Sequence, residues 1–156
     1  VGTFSKSLGS TGGFCVSPHK ALSLFRYASR PYMFTASPCP SVIATTRAAL
    51  AQMRARPELR TTLWRNANKL YNGLSQLGFK VGPEPSPVVA VLAPSRERAL
   101  AAWQHLLEAG VYLNLILPPA APDGSALLRC SVSAAHSDEQ IEQIIAAFAN
   151  LPLELR

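Results

Sequence analysis

The sequence predicts an α/β protein, and three observations predict it. Apolar residues recur at steps of three and four through several long stretches, the period of a helix with one buried face. Between those stretches lie short apolar runs, "VVAVLAP", "VYLNLIL" and "LLRCSVS", that read as strands. The chain is 48% apolar, which suits a packed core rather than a disordered polymer. At 156 residues it is one ordinary domain, or one whole domain with part of another. A domain near this length buries roughly 70% of its unfolded surface.

Residues 1–17 read as two short strands around a turn, "GTFSK" and "FCVS" on either side of the flexible "GSTGG". Pro18 to Ser29 reads as a short helix, with the proline near its first turn. The stretch "RPYMFTASPCPS" holds three prolines and is expected to be an ordered loop. Helix resumes over residues 41–54. A long helix follows Pro57, where Leu59, Leu63, Ala67, Leu70, Leu74 and Leu77 share one face and Gly78 supplies the stop. "VVAVLAP" is expected to be a buried strand. "SRERALAAWQHLLEAG" is a helix with Ser95 as N-cap, Leu100, Trp103 and Leu107 inward, and Gly110 at its end. Two strands then flank the "PPAAPDG" loop. In the closing helix Ser137 and Gln140 have capping-box spacing, and Ile141, Ile144, Ile145 and Phe148 mark the buried side. From about residue 50 the order is helix, strand, helix, strand, strand, helix, a unit able to close its own core. Residues 1–49 hold strands and loops without obvious partners, as though belonging to a larger sheet.

No apolar stretch approaches the ~20 residues that span a bilayer, so a soluble protein is expected. Cys15, Cys39 and Cys130 are odd in number and widely spaced, which suits a reducing cytoplasm and neither a disulfide framework nor a zinc site. His19, His105 and His136 show no metal-ligand spacing, and no metal is expected. Fifteen basic residues against nine acidic ones give a net charge of +6. Arg47, Arg54, Arg56, Arg60 and Arg65 place part of it on one helical stretch. A solvated helix face explains them most simply, and a patch attracting a phosphorylated small molecule is a second reading. Nucleic-acid binding is the weakest, because no aromatic residues interleave with the arginines as stacking platforms.

Lys6 sits between two serines, behind Thr3 and ahead of a glycine cluster. A lone lysine is usually solvated surface, and a serine-rich hairpin is the bland account of this one. A lysine that forms a Schiff base must lose its proton from an ordinary pKa of about 10.4, which burial or a nearby cation can bring about. The hydroxyls of Thr3, Ser5 and Ser7 suit phosphate oxygens, and the glycines allow close backbone approach.

"GTFSKSLGSTGGF" closely resembles the lysine motif of the α-oxoamine synthases, pyridoxal-phosphate (PLP) enzymes of the aspartate-aminotransferase-like fold (fold type I). These enzymes condense an amino acid with an acyl-CoA and release carbon dioxide. "SRPYMFTASPCPSV" resembles the family's segment after the lysine, "PPAAPDG" its proline loop, and "ALLRCSVSAAHS" its late arginine motif. The motifs follow in the family's order and span essentially the whole chain. The resemblance implies that residues 1–49 end the large PLP-binding domain and that residues 50–156 form the small C-terminal α/β domain. Lys6 is then the residue that binds the cofactor covalently and later moves the α-proton of the substrate. Thr3 and Ser5 contact the cofactor phosphate. Thr35 and Ser37 match hydroxyls that reach the phosphate bound by the neighbouring subunit, so a homodimer with shared active sites is expected; loop capping is the simpler account of both. Arg129 matches the arginine that holds the substrate carboxylate, a task suited to a planar fork of fixed charge. Pairing with a buried acid is its structural alternative, and only Asp123 lies near in sequence. His136 is expected to order the start of the last helix.

Within the family, Ser5 before the lysine and the "RPYMFTAS" wording resemble the bacterial branch that joins L-serine to a long-chain acyl-CoA, giving 3-oxosphinganine. The sister enzymes making 8-amino-7-oxononanoate, 2-amino-3-oxobutyrate or 5-aminolevulinate usually carry glycine there. One departure stands out: Leu117 occupies the position before the proline pair where many members have an arginine. The family's aspartate for the pyridine nitrogen and its ring-stacking histidine precede the lysine motif. This chain is therefore expected to be the C-terminal portion of a larger enzyme, inactive by itself. A noncatalytic subunit of the same fold has no need of Lys6, and a basic nucleic-acid-binding module predicts salt-sensitive binding and no PLP.

Overall fold

The computed structural model of the protein describes residues 1–121 and 124–155. They divide into two compact units, Val1–Pro57 and the chain from Glu58 onward.

The first unit begins with two very short antiparallel strands, β1 (Gly2–Thr3) and β2 (Gly13–Phe14). A 3-10 turn over Lys20–Leu24 runs into α1 (Phe25–Ala28), followed by α2 (Arg30–Met33) and α3 (Pro40–Ala55). The single helix expected over residues 18–29 is thus a 3-10 turn and one α turn. Part of the expected proline loop is helical as α2, because Pro31 lies in the first turn, where its missing N–H has no intrahelical partner to lose. The arginines expected on one helical stretch are divided: Arg47 and Arg54 belong to α3, while Arg60 and Arg65 belong to the next helix, beyond the break at Arg56 and Pro57.

The second unit contains α4 (Glu58–Gln76), β3 (Val88–Ala93), α5 (Arg96–Glu108), β4 (Asn114–Ile116), β5 (Ala126–Ser131) and α6 (Asp138–Ala149). The strands form an antiparallel sheet in the order β3–β5–β4, so β3 and β4 run parallel with β5 inserted between them. Val89, Val91, Leu128 and Cys130 project into one core with Leu70 and Leu74 of α4, Ala102 and Leu106 of α5, and Ile141 and Phe148 of α6. The opposite sheet face carries Ala90, Arg129, Asn114 and the half-exposed Val88 and Leu92. β3, expected to be buried throughout, is therefore buried on one face only. On α5 the buried residues are Ala99, Ala102 and Leu106, while Leu100 and Leu107 are exposed and Trp103 is partly buried. Small alanines let that helix approach the sheet closely, and Trp103 keeps its indole N–H satisfied by donating to the Leu113 carbonyl at 3.0 Å.

Helix ends follow the sequence signals. At the end of α5, Gly110 has φ +81°, its N–H meets the Leu107 carbonyl at 3.0 Å, and the Val111 N–H meets that of Leu106 at 2.8 Å. This paired closure needs a residue without Cβ at the left-handed position. At α6 the Ser137 hydroxyl accepts from the Gln140 N–H while the Gln140 side chain accepts from the Ser137 N–H, at 3.2 and 2.9 Å. No helix among the described residues is long and apolar enough to cross a membrane.

One polar residue sits inside the second core. Asn66, on the apolar side of α4, is fully buried, and its Nδ2 donates to the carbonyls of Ser133 and His136 at 3.2 and 2.8 Å. Asn66→Ala removes both bonds and leaves the His136 carbonyl without its donor, while Ser133 keeps only the long 3.4 Å bond from the His136 N–H, so we expect a loss of about 2 kcal/mol in urea-induced unfolding, with an unchanged m-value. Burial pushes the Cys130 thiol up to about 12. Maleimide at mildly alkaline pH is accordingly expected to leave Cys130 unlabelled until denaturant is added, as read by mass spectrometry.

Candidate functional site

In the first unit the loop carrying Lys6 is tied at several points. The Phe4 N–H donates to the Gly12 carbonyl and the Ser10 N–H to the Phe4 carbonyl, both at 2.9 Å, and the Gly9 N–H closes a turn onto the Lys6 carbonyl at 3.0 Å. The rings of Phe4 and Phe14 stack with centroids 5.4 Å apart. The Ser10 hydroxyl reaches the Val42 carbonyl in α3 at 3.3 Å. Close approach at the base of the loop requires glycine: a Cβ on Gly13 would lie 2.5 Å from the Gly2 carbonyl oxygen, a backbone atom that cannot swing aside.

This frame brings Thr3 and Ser5 together beside Lys6. The Thr3 and Ser5 hydroxyls are 2.8 Å apart, and Thr3 Oγ1 also donates to the Gly12 carbonyl and accepts from the Ser5 N–H, at 3.1 and 3.2 Å. Lys6 is exposed, and its amine has no hydrogen-bond or ion-pair partner among the described residues. A free primary amine next to two hydroxyls fits a ligand that has both an electrophilic carbonyl and a phosphate.

Thr35 and Ser37 lie on the exposed stretch between α2 and α3. Neither hydroxyl has a hydrogen-bond partner among the described residues. The α3 N-cap is Cys39, which makes no side-chain capping bond, so the loop-capping account of Thr35 and Ser37 finds no bond to support it.

In the second unit Arg129 stands in the middle of β5, opposite Ala90 of β3 and Asn114 of β4, on the open sheet face. It is exposed and makes no ion pair among the described residues; Asp123, the acid near it in sequence, lies outside them, as does Pro122 of the proline loop. Arg129 lines a cavity of about 400 Å³ together with Tyr112, Asn114, Ser131, His136 and Gln140. Among the described residues, no carboxylate lines that cavity. A guanidinium facing neutral hydrogen-bonding groups, with no acid to pair with among the described residues, is an anion site by charge. Leu117, just before the proline pair, is half-buried and offers no charge.

His136 orders the turn that follows β5 rather than the helix start, which Ser137 and Gln140 make themselves. Its Nδ1 accepts from the Ser133 N–H at 3.0 Å. Sequence reasoning did not single out Asn66, which holds this turn from below. The available signal was an amide in the apolar stripe of α4, three residues after Leu63 and four before Leu70.

The family model for aminotransferase class I and II matches residues 1–148, and the chain belongs to that family. The resemblance to α-oxoamine synthases within it is borne out. The chain is 57% identical over 151 residues to a serine palmitoyltransferase of Caulobacter vibrioides, covering 97% of this chain and 37% of that protein. It is 35% identical to an 8-amino-7-oxononanoate synthase of Symbiobacterium thermophilum, over 99% of this chain and 40% of the relative. Among solved structures, a variant serine palmitoyltransferase from Sphingomonas paucimobilis with a bound PLP–myriocin aldimine superposes with a TM-score of 0.90 at 45% identity, covering 95% of this chain and 38% of that one. The chain thus spans well under half the length of the relatives it matches.

The glycine constraint yields a test. Gly13→Ala is expected to loosen the loop base, raising amide hydrogen exchange at Phe4 and Ser10 by roughly tenfold or more without changing exchange in α4.

Proposed function

We propose that this chain is the C-terminal part of a PLP-dependent acyltransferase that condenses L-serine with a long-chain acyl-CoA to give 3-oxosphinganine, CoA and carbon dioxide. The observation that carries this reading is the unpartnered Lys6 amine beside the Thr3–Ser5 hydroxyl pair, and the 57% identity to a serine palmitoyltransferase supports the choice of reaction. Residues 1–49 then end the large cofactor-binding domain, and the chain leads through α3 into the small domain.

In this assignment Lys6 holds the cofactor through its amine, and Thr3 and Ser5 hold its phosphate. When bound, PLP supplies an electron sink for charge that develops at the α-carbon of the amino acid. Lys6 moves the proton at that carbon, a role open to an amine that no acid among the described residues engages. Arg129 binds the substrate carboxylate with its two-pronged fork and so orients the amino acid. Thr35 and Ser37 donate to the phosphate held by a second copy of the protein, which makes the working unit a homodimer with shared sites.

The test uses the full-length gene product loaded with PLP. Sodium borohydride followed by peptide mapping should leave a pyridoxyl group on Lys6 and none on the Lys6→Ala protein. Release of carbon dioxide from L-serine with palmitoyl-CoA should fall by at least about 100-fold in that variant. A wild-type protein carrying no pyridoxyl at Lys6 would overturn the proposal.

A further inference from the structure

The Arg129 cavity contains a second donor that the carboxylate-binding reading leaves out. An ionised carboxylate offers about four lone-pair sites, and one guanidinium fork fills two of them. No other cation among the described residues lines this cavity. His136 does line it. The Ser133 backbone N–H, which can only donate, points at His136 Nδ1 from 3.0 Å, so that nitrogen is an acceptor and the neutral ring carries its proton on Nε2. Nε2 has no hydrogen-bond partner among the described residues. The turn is held in place from the core, because the buried Asn66 amide grips the carbonyls of both Ser133 and His136.

We infer that His136 is a substrate-binding residue whose Nε2–H donates to the same amino-acid carboxylate that Arg129 holds, with Asn66 as the positioning residue behind it. The inference rests on the carboxylate reading of Arg129. It gives the anion a charged partner on the sheet and a neutral one on the turn before α6. With Leu117 apolar, the second partner here is a hydrogen-bond donor without charge.

Two isosteric substitutions separate substrate binding from turn-holding. His136→Asn keeps an acceptor near the Nδ1 position and removes the Nε2 donor, whereas His136→Gln keeps an amide donor near Nε2 and gives up the Nδ1 acceptor. In the full-length, PLP-loaded protein, L-serine is titrated calorimetrically without acyl-CoA, with L-serinamide as the probe lacking a carboxylate. We expect His136→Asn to weaken L-serine binding roughly tenfold or more and His136→Gln to stay within about threefold of wild type. L-serinamide binding should be unaffected by either change. Weakening in His136→Gln but not His136→Asn, or equal weakening in both, would overturn the inference. Arg129→Lys serves as the separate control: if it leaves L-serine affinity unchanged, the carboxylate reading itself fails, and if it weakens affinity while His136→Asn does not, only the role of His136 fails.

Discussion

A fully buried amide has to find partners inside the protein or forfeit the free energy of leaving water, and in this chain that demand falls on Asn66. Its two donated bonds join the middle of α4 to the turn after β5, about seventy residues further along the chain. Much of the second unit follows from that join. The turn carries His136, the end of β5 leads into it, and α6 begins directly after it with its own reciprocal cap. The exposed ion pair between Lys69 and Glu142, 2.7 Å long, also spans α4 and α6, but both partners are solvated and salt screens such contacts. The buried amide is therefore the constraint and the surface pair an accessory.

The loop of the first unit solves a different problem. Its task is to present an amine without spending that amine on the protein. The hydrogen bonds that shape the loop all come from backbone groups and from the Thr3, Ser5 and Ser10 hydroxyls, which leaves Lys6 outside the network. Glycines at the base allow the two strands to touch where any side chain would collide. Arg129 shows the same economy in the second unit, where, among the described residues, the cation is unpaired and its cavity is lined by neutral groups. Both residues are exposed, so leaving them unpaired costs the fold little while keeping them available for a ligand.

Long periodic stretches were legible from the sequence alone. The helices α3 to α6, the glycine stops of α4 and α5 and the Ser137–Gln140 cap stand where periodicity and capping chemistry predict them. The lysine loop was legible too, because its motif is dense in glycine and hydroxyl residues. What escaped depends on tertiary partners. Leu100 and Leu107 satisfy the helical period as well as Ala99 and Leu106 do, and only the sheet decides which side of α5 turns inward. The one-sided burial of β3 was hidden because "VVAVLAP" is apolar at every position. The grip of Asn66 on a distant turn leaves no trace in local spacing beyond a polar residue on an apolar stripe.

Along β5 the side chains alternate, so Arg129 faces the open side while its neighbours Leu128 and Cys130 enter the core. A slip of that strand by a single residue would drive the guanidinium into the hydrocarbon interior and turn the leucine and the thiol out to water. Burying an unpaired charge is among the most expensive errors a folded chain can make. The same arginine that waits for an anion thus polices the pairing of the central strand, and misaligned versions of the sheet are rejected during folding by the residue that gives the aligned one its use.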